Sequence, residues 1–443
     1  MPSVAAAANE ALMLGPLGLV LTLLVALLAG AVWVGPALMA IGVIALEAFR
    51  DMRVDRFLAG DIWSSSVAVE LITLPLFILM GEILYHTRLS ENLFRGLAPW
   101  TRKLPGGLAH VNVMGCTLFA AVSGSSAATT ATVGRITLKE LLARGYDKRL
   151  AVGSLAGAGT LGFLIPPSIP MIVYGVVADV SILDLFIAGL VPGLGLAALF
   201  MGWIALRSAL TPGLVPPPEP RLGLAAAIAA LANLLPILLL IGFVIGSLYL
   251  GFASITEAAA IGVLGAVGVG IAQRTLSFRG MWQALLGTVR TCSMIGLILA
   301  GALFLSKAMA RLGLPAEIAE TVASWGLSPF GLILVLLLFY LALGTVLDGL
   351  SAIVMTLPVT LPLAVAAGFD PIWFGIFLII TIEMAQITPP VGFNLFVIQG
   401  LTGDGIFRIA LWAAPFCAIM MLFTLVITVF PEIVLFLPSS MRG

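Results

Sequence analysis

Long apolar runs separated by short polar stretches dominate the chain. They extend over Leu12–Phe49, Val67–Tyr85, Gly107–Val133, Leu150–Val177, Ile182–Leu206, Leu224–Leu250, Ile255–Ala272, Thr288–Met309, Pro329–Ala367, Trp373–Ile398 and Ile409–Leu437. A bilayer crossing takes roughly 20 apolar residues, so about 10–12 transmembrane helices fit and the pattern predicts an all-α polytopic membrane protein. The Gly107 and Pro329 runs each carry a short polar or Gly-rich interruption near the middle, which predicts a re-entrant helical hairpin. Two other runs contain Pro-Pro pairs, Pro166-Pro167 and Pro389-Pro390, and proline inside a helix breaks it.

The two breaks are copies of one pattern. Asp147 and Pro166-Pro167 recur as Asp370 and Pro389-Pro390, 223 positions later, and Gly145 and Leu138 recur as Gly368 and Leu361. The first repeat is expected over residues 1–210, with a hairpin at about 107–143 and a broken helix at about 148–178. A Pro-rich linker at 211–222 follows, in which Pro216, Pro217, Pro218 and Pro220 preclude a helix. The second repeat is expected over 223–443, with a hairpin at about 329–366 and a broken helix at about 371–400.

Charge orients the copies. Arg95, Arg102, Lys103, Arg144, Lys148 and Arg149 flank the first, whereas Leu312–Gly331 and Leu363–Gly375 hold no Lys or Arg. Positive charge stays cytoplasmic. The first hairpin is therefore expected to face the cytoplasm and the second the outside, which makes the repeats inverted. Before each hairpin lies a segment with helical apolar spacing and interleaved charge, His86–Lys103 and Leu314–Trp325. These read as interfacial amphipathic helices, with an ordinary charged loop as the competing reading.

Composition reinforces this class: 61% of the 443 residues are hydrophobic and 9% charged, with a mean hydropathy of +1.18. The net charge of zero gives no basic surface for nucleic acid. Cys116, Cys292 and Cys417 are dispersed in apolar segments and offer neither a disulfide framework nor a metal motif. No Lys or Arg precedes the first apolar run, so the N-terminus reads as the first one or two spans and not as a cleaved signal. His86 and His110 make no metal pair or nucleophile couple, leaving an intramembrane enzyme as a remote alternative.

The candidate chemistry lies at the interruptions. Ser123-Gly124-Ser125-Ser126 supplies hydroxyls and unpaired helix-end carbonyls, suited to a hard monovalent cation, although small residues also serve plain helix packing. Pro166 and Pro167 free carbonyls around Gly162 and Phe163. In the second copy Asp348 falls on the position of Ser125 (348 − 125 = 223), inside an apolar run. A carboxylate at membrane depth costs at least about 2.5 kcal/mol and calls for a partner, and a Na+ ion is the favoured one. Glu383 is open to three readings: facing a cavity, carrying a proton, or bonding a freed backbone group.

With these residues in view, the chain closely resembles the large membrane subunit of TRAP transporters, the DctM type. The resemblance rests on FAAVSGSSAATTATVG, RGYDKRLAVGSLAGAGTLGFLIPPSIPMIVYG, ITEAAAIGVL and ITPPVGFNLFVIQG, in order and nearly end to end. It implies a Na+-coupled, elevator-type secondary importer of organic acids, such as C4-dicarboxylates or sugar acids, multi-pass in the bacterial inner membrane. A periplasmic binding protein would deliver the substrate, and a small four-helix membrane subunit, expected to be a separate polypeptide, would brace the frame within the lipid. By motif position one Na+ site falls on Ser123, Ser125, Gly162, Ile165 and Pro167, and its mirror on Asp348, Gly349, Thr388 and Pro390. Substrate would lie between them, near Ser126, Thr160, Ser168 and Asn394. Arg135 is about ten residues past the tip, roughly 15 Å away along a helix, and is expected to snorkel to the cytoplasmic surface. The alternatives are a stand-alone Na+- or H+-coupled carboxylate carrier with the same repeat, an exporter, or a channel, for which no continuous polar pore is visible.

Overall fold

The computed structural model describes residues 15–30, 32–66, 70–217, 224–324, 326–345, 347–390 and 392–442. Leu12 to Leu14, Val67 to Val69, the linker beyond Pro217 and Trp325 lie outside the described residues. Helices joined by turns make up the described chain, with no strand among them. The first series comprises α1 (Gly15–Ala29), α2 (Val34–Phe49), α3 (Val54–Ser66), α4 (Glu70–Tyr85), α5 (Leu89–Thr101), α6 (His110–Ser123), α7 (Ser126–Ala143), α8 (Lys148–Leu164), α9 (Ile169–Ala178) and α10 (Ile182–Leu210). The second comprises α11 (Leu224–Leu231), α12 (Leu235–Tyr249), α13 (Ile255–Ala272), α14 (Phe278–Leu312), α15 (Leu314–Ser324), α16 (Pro329–Gly344), α17 (Gly349–Ala366), α18 (Pro371–Gln386), α19 (Phe393–Thr402), α20 (Ile406–Val429) and α21 (Glu432–Arg442). Six apolar stretches are long enough to cross a bilayer. The longest, α14, has 35 residues and a length of about 52 Å.

Helix boundaries repeat at the interval of 223. Shifting α7 by that interval reproduces both ends of α17, and α8 and α18 start in the same register. The long α14 covers the positions of α3 and α4 together. Capping residues fix this register locally. Asp147 accepts hydrogen bonds from the N–H groups of Arg149 and Leu150, and Asp370 does the same for Ile372 and Trp373. Each cap satisfies N–H groups that have no partner inside the helix, a contribution of about 1 kcal/mol.

The hairpin arms pack on the broken helices, and they do so reciprocally. The second half of the first break, α9, lies on the second arm of the other hairpin, α17; the second half of the other break, α19, lies on α7. With α10 and α20 these elements form a core. Around it α2, α3, α4, α13 and α14 pack on one another as a frame that meets the core chiefly through α4 and α14. Lipid offers little hydrophobic drive for helix association, so close backbone approach matters. A Cβ on Gly301 would lie 2.4 Å from the Gly35 carbonyl oxygen, where α14 crosses α2. Lys307 of α14 pairs with the buried Asp61 of α3.

The two amphipathic segments are helices, α5 and α15. Leu89, Leu93 and Leu97 bury one face of α5, and Ile318 is buried on α15.

Candidate functional site

At the first tip α6 ends at Ser123, Gly124 takes the left-handed conformation (φ 58°), and Ser125 caps α7 by accepting from the Ala128 N–H at 3.4 Å. The break lies directly against it. Helix α8 stops at Leu164, Ile165-Pro166-Pro167 is non-helical, and Ser168 caps α9. The Ile169 N–H donates across to the Gly124 carbonyl at 3.3 Å. A Cβ on Gly162 would lie 2.6 Å from Ser126 Cα and 2.7 Å from the Ser125 carbonyl oxygen, so the tip and the break touch through backbone. The Ser126 hydroxyl donates to the Gly159 carbonyl at 3.0 Å, and the Ser123 and Thr129 hydroxyls share a 2.8 Å bond.

Ser123, Ser125, Gly162, Ile165 and Pro167 are thus brought together at one junction. Residue 166 is proline, so the Gly162 carbonyl lacks its usual N–H partner four residues on. Phe163's carbonyl is in a different position: the Ser168 hydroxyl donates to it, closing the site that the break opens. The Gly162 carbonyl and the Ser123 and Ser125 hydroxyls are the oxygens that this junction could offer a small hard cation.

The second tip repeats the arrangement with different side chains. Asp348 caps α17, its Oδ2 accepting from the Ser351 N–H at 3.2 Å. Gly344 and Gly349 seat the hairpin on α18: their Cβ atoms would lie 2.4 Å from Ala385 Cβ and 2.7 Å from Ile382 Cγ2. Thr388 in the break donates to the Met384 carbonyl at 2.7 Å. Both Pro–Pro bonds are cis. The copies differ in exposure: Ser123, Gly162, Ile165 and Pro167 are buried, whereas Asp348 and Pro390 are exposed.

Among the hydrogen bonds that join the halves, two lie close to the tips and breaks. A Glu383 carboxyl oxygen of α18 accepts from the Phe163 N–H of α8 at 2.6 Å. Glu383 occupies the register position of Thr160 (383 − 160 = 223), which it also contacts. Of the three readings of Glu383, the bond to a backbone group near the break is the one the structure displays. The Asn394 side chain of α19 donates to the Ser126 hydroxyl at 2.7 Å.

A cavity of about 340 Å³ opens where α4 and α14 face the first tip. Ser123, Ser125 and Ala128 form its core side, and Gly81, Glu82 and Tyr85 its frame side. Its volume suits a small organic molecule. Thr160, Ser168, Ser126 and Asn394 lie beneath this surface, fully or nearly fully buried. Thr160 donates to the Gly157 carbonyl at 2.6 Å, so its hydroxyl is directed at its own helix, and that of Ser168 is directed back at the end of α8. Arg135 stands at the rim, donating to the Tyr85 hydroxyl at 2.8 Å. Glu82 and Tyr85 were not singled out from the sequence. An acid inside the apolar run Val67–Tyr85 is the same signal that marked Asp348, and it was available for Glu82.

Known proteins of similar sequence cover most of the chain. The chain is 34% identical over 387 residues to the C4-dicarboxylate TRAP transporter large permease protein DctM of Pseudomonas aeruginosa, covering 87% of this chain and 90% of that one. It is 30% identical to the sialic acid TRAP transporter large permease protein SiaM of Vibrio cholerae, over 84% and 87% of the two chains. Among solved structures, the Alcanivorax borkumensis YdaH transporter shares the fold with a TM-score of 0.55 at 15% identity, over 85% of this chain and 87% of that one. Residues 21–433 match the family described as tripartite ATP-independent periplasmic transporter, DctM component. The chain belongs to that family: it is a large permease subunit of a TRAP transporter, a membrane transport protein and not an enzyme.

Proposed function

We propose that this permease imports an organic acid across the bacterial inner membrane by coupling its movement to Na+. The observation that carries the reading is the repeated junction of hairpin tip and broken helix, with the first tip forming one wall of the cavity. Na+ is a co-transported substrate held at Ser123, Ser125, Gly162, Ile165 and Pro167 and, in the mirror copy, at Asp348, Gly349, Thr388 and Pro390. The acid occupies the cavity above the first tip, where the N-terminus of α7 favours a carboxylate. Ser126, Thr160, Ser168 and Asn394 hold the tips and breaks in position beneath it.

The repeats are inverted, with the basic end of the core in the cytoplasm. An elevator movement of the core against the frame exposes the sites alternately. A periplasmic binding protein supplies the acid, in keeping with the family's description as a tripartite periplasmic transporter, and a small membrane subunit braces the frame. The acid belongs to the carboxylate class that those names include, C4-dicarboxylates and sialic acid.

Reconstitution tests the reading. Proteoliposomes containing this chain, the small subunit and the binding protein are expected to accumulate the acid only under an inward Na+ gradient. Equal uptake by this chain alone, or uptake indifferent to Na+, overturns it.

Substitutions at the tips give a finer test. Ser125→Ala and Asp348→Ala each remove a candidate oxygen ligand, a loss of about 2 kcal/mol for a charge-assisted contact. Half-saturating Na+ is expected to rise by at least about tenfold. Asp348→Asn keeps the helix cap and removes the charge, so an unchanged Na+ dependence in this variant excludes the carboxylate from the site.

A further inference from the structure

A second, larger groove opens away from the tips. It occupies about 730 Å³ between the first turn of α8, the end of α10 and the first half of α20. Its lining divides by chemistry: Arg149, Arg207 and Arg408 supply cationic donors, and Trp203, Leu411 and Trp412 an apolar and aromatic wall. Asp147, the acid in the lining, is engaged in capping α8. Asp404, the neighbouring acid, lies 2.7 Å from Lys148 and 3.7 Å from Arg408. Among the described residues Arg149 and Arg207 form no ion pair.

We propose that this groove binds an anionic phospholipid of the cytoplasmic leaflet, with the phosphate at the three arginines and an acyl chain along Leu411 and the tryptophans. Guanidinium groups match phosphate oxygens with paired hydrogen bonds. Tryptophan settles at headgroup depth, with an apolar ring and one polar N–H. Leu411, 72% exposed, continues the wall outward. Solvated arginines alone would not need such a wall. The groove lies at the end of the core that also carries Arg144 and Lys148, where positive charge marks the cytoplasmic side and basic pockets between helices recruit anionic headgroups. Because α8, α10 and α20 belong to the core that bears the tips, the lipid attaches that body to one leaflet.

Intrinsic fluorescence provides the test, since two tryptophans line the groove. The full-length protein is placed in nanodiscs containing a small mole fraction of dibrominated phosphatidylglycerol or, separately, dibrominated phosphatidylcholine. Phosphatidylglycerol is expected to quench at much lower mole fraction. The excess quenching is expected to vanish in Trp203→Phe/Trp412→Phe. Each exposed arginine replaced by glutamine lowers the preference about fivefold, and Arg149→Gln/Arg207→Gln/Arg408→Gln about a hundredfold. Equal quenching by the two lipids overturns the proposal, as does a preference that survives the triple substitution. Soluble glycerol phosphate at millimolar concentration separates the sources: quenching that persists supports the lipid, and quenching abolished assigns the groove to a free phosphate ester. Arg207→Gln read alone decides the matter if the triple variant does not purify.

Discussion

Gly162→Ala is expected to abolish Na+-driven uptake, by about a hundredfold or more, in protein that still purifies as a single species. The added Cβ would lie 2.6 Å from Ser126 Cα and 2.7 Å from the Ser125 carbonyl oxygen. Both are backbone atoms of the tip, so no side chain can swing aside, and ordinary contact requires a separation about 1 Å greater. Overpacking of this kind costs about 1–3 kcal/mol. The functional loss exceeds that figure because Gly162 and Ser125 are both candidate ligands, and a misplacement of about 1 Å in a positioned site is worth about a hundredfold. Gly296→Ala is the control: nothing lies within 4 Å of its added Cβ, and uptake is expected to stay within about twofold of the parent. The measurement is initial uptake against Na+ concentration. A normal curve for Gly162→Ala removes the tip–break junction from the transport cycle.

Local determinants explain why this junction could be read from sequence. The Pro-Pro pairs and the capping aspartates act on their own turns, so Asp147, Asp370 and the breaks at Ile165 and Ile387 announced themselves without tertiary information. The register of 223 seen there extends through nearly every helix pair, including α3 with α4 against α14. The links between halves had no such signal. Phe163 and Glu383 are 220 positions apart, Ser126 and Asn394 268, and only the fold brings them together. Hydroxyls were ambiguous for another reason. Thr160 and Ser168 stand next to the break, which suggests ligand contact, but Ser and Thr in helices readily bond a carbonyl of the preceding turn, and the caps and back-bonds absorb both. The frame side of the cavity depends on which turn of α4 faces the tip; Glu82 marks a polar position in Leu71–Tyr85, but the mostly apolar run around it has no periodicity to reveal that turn's partner.

Glu383→Ala is expected to destabilise the protein by about 4 kcal/mol, whereas Glu383→Gln is expected to cost less than half as much. Every residue of α18 from Ile372 to Gln386 is buried, so water cannot replace what the truncation removes. The half-buried Phe163 N–H loses its carboxyl acceptor at 2.6 Å, a penalty of about 1–3 kcal/mol. The void left by the rest of the side chain adds about 2 kcal/mol. Glutamine keeps a carbonyl oxygen at the same reach and nearly the same volume, so it retains both contributions. The effect is local to the seam where the two copies meet: Glu383 faces Thr160, its register equivalent, and a Cβ on Gly349 of the second tip would lie 3.1 Å from the Phe163 ring. Losing the link therefore loosens both junctions at once, and half-saturating Na+ should rise in the alanine variant but not in the glutamine variant. The check is the half-life of folded protein at elevated temperature in detergent, paired with the Na+ dependence of uptake, because membrane proteins of this size unfold irreversibly. A glutamine variant as impaired as the alanine variant would show that the carboxyl group itself, and not an acceptor for the Phe163 N–H, is what this position supplies.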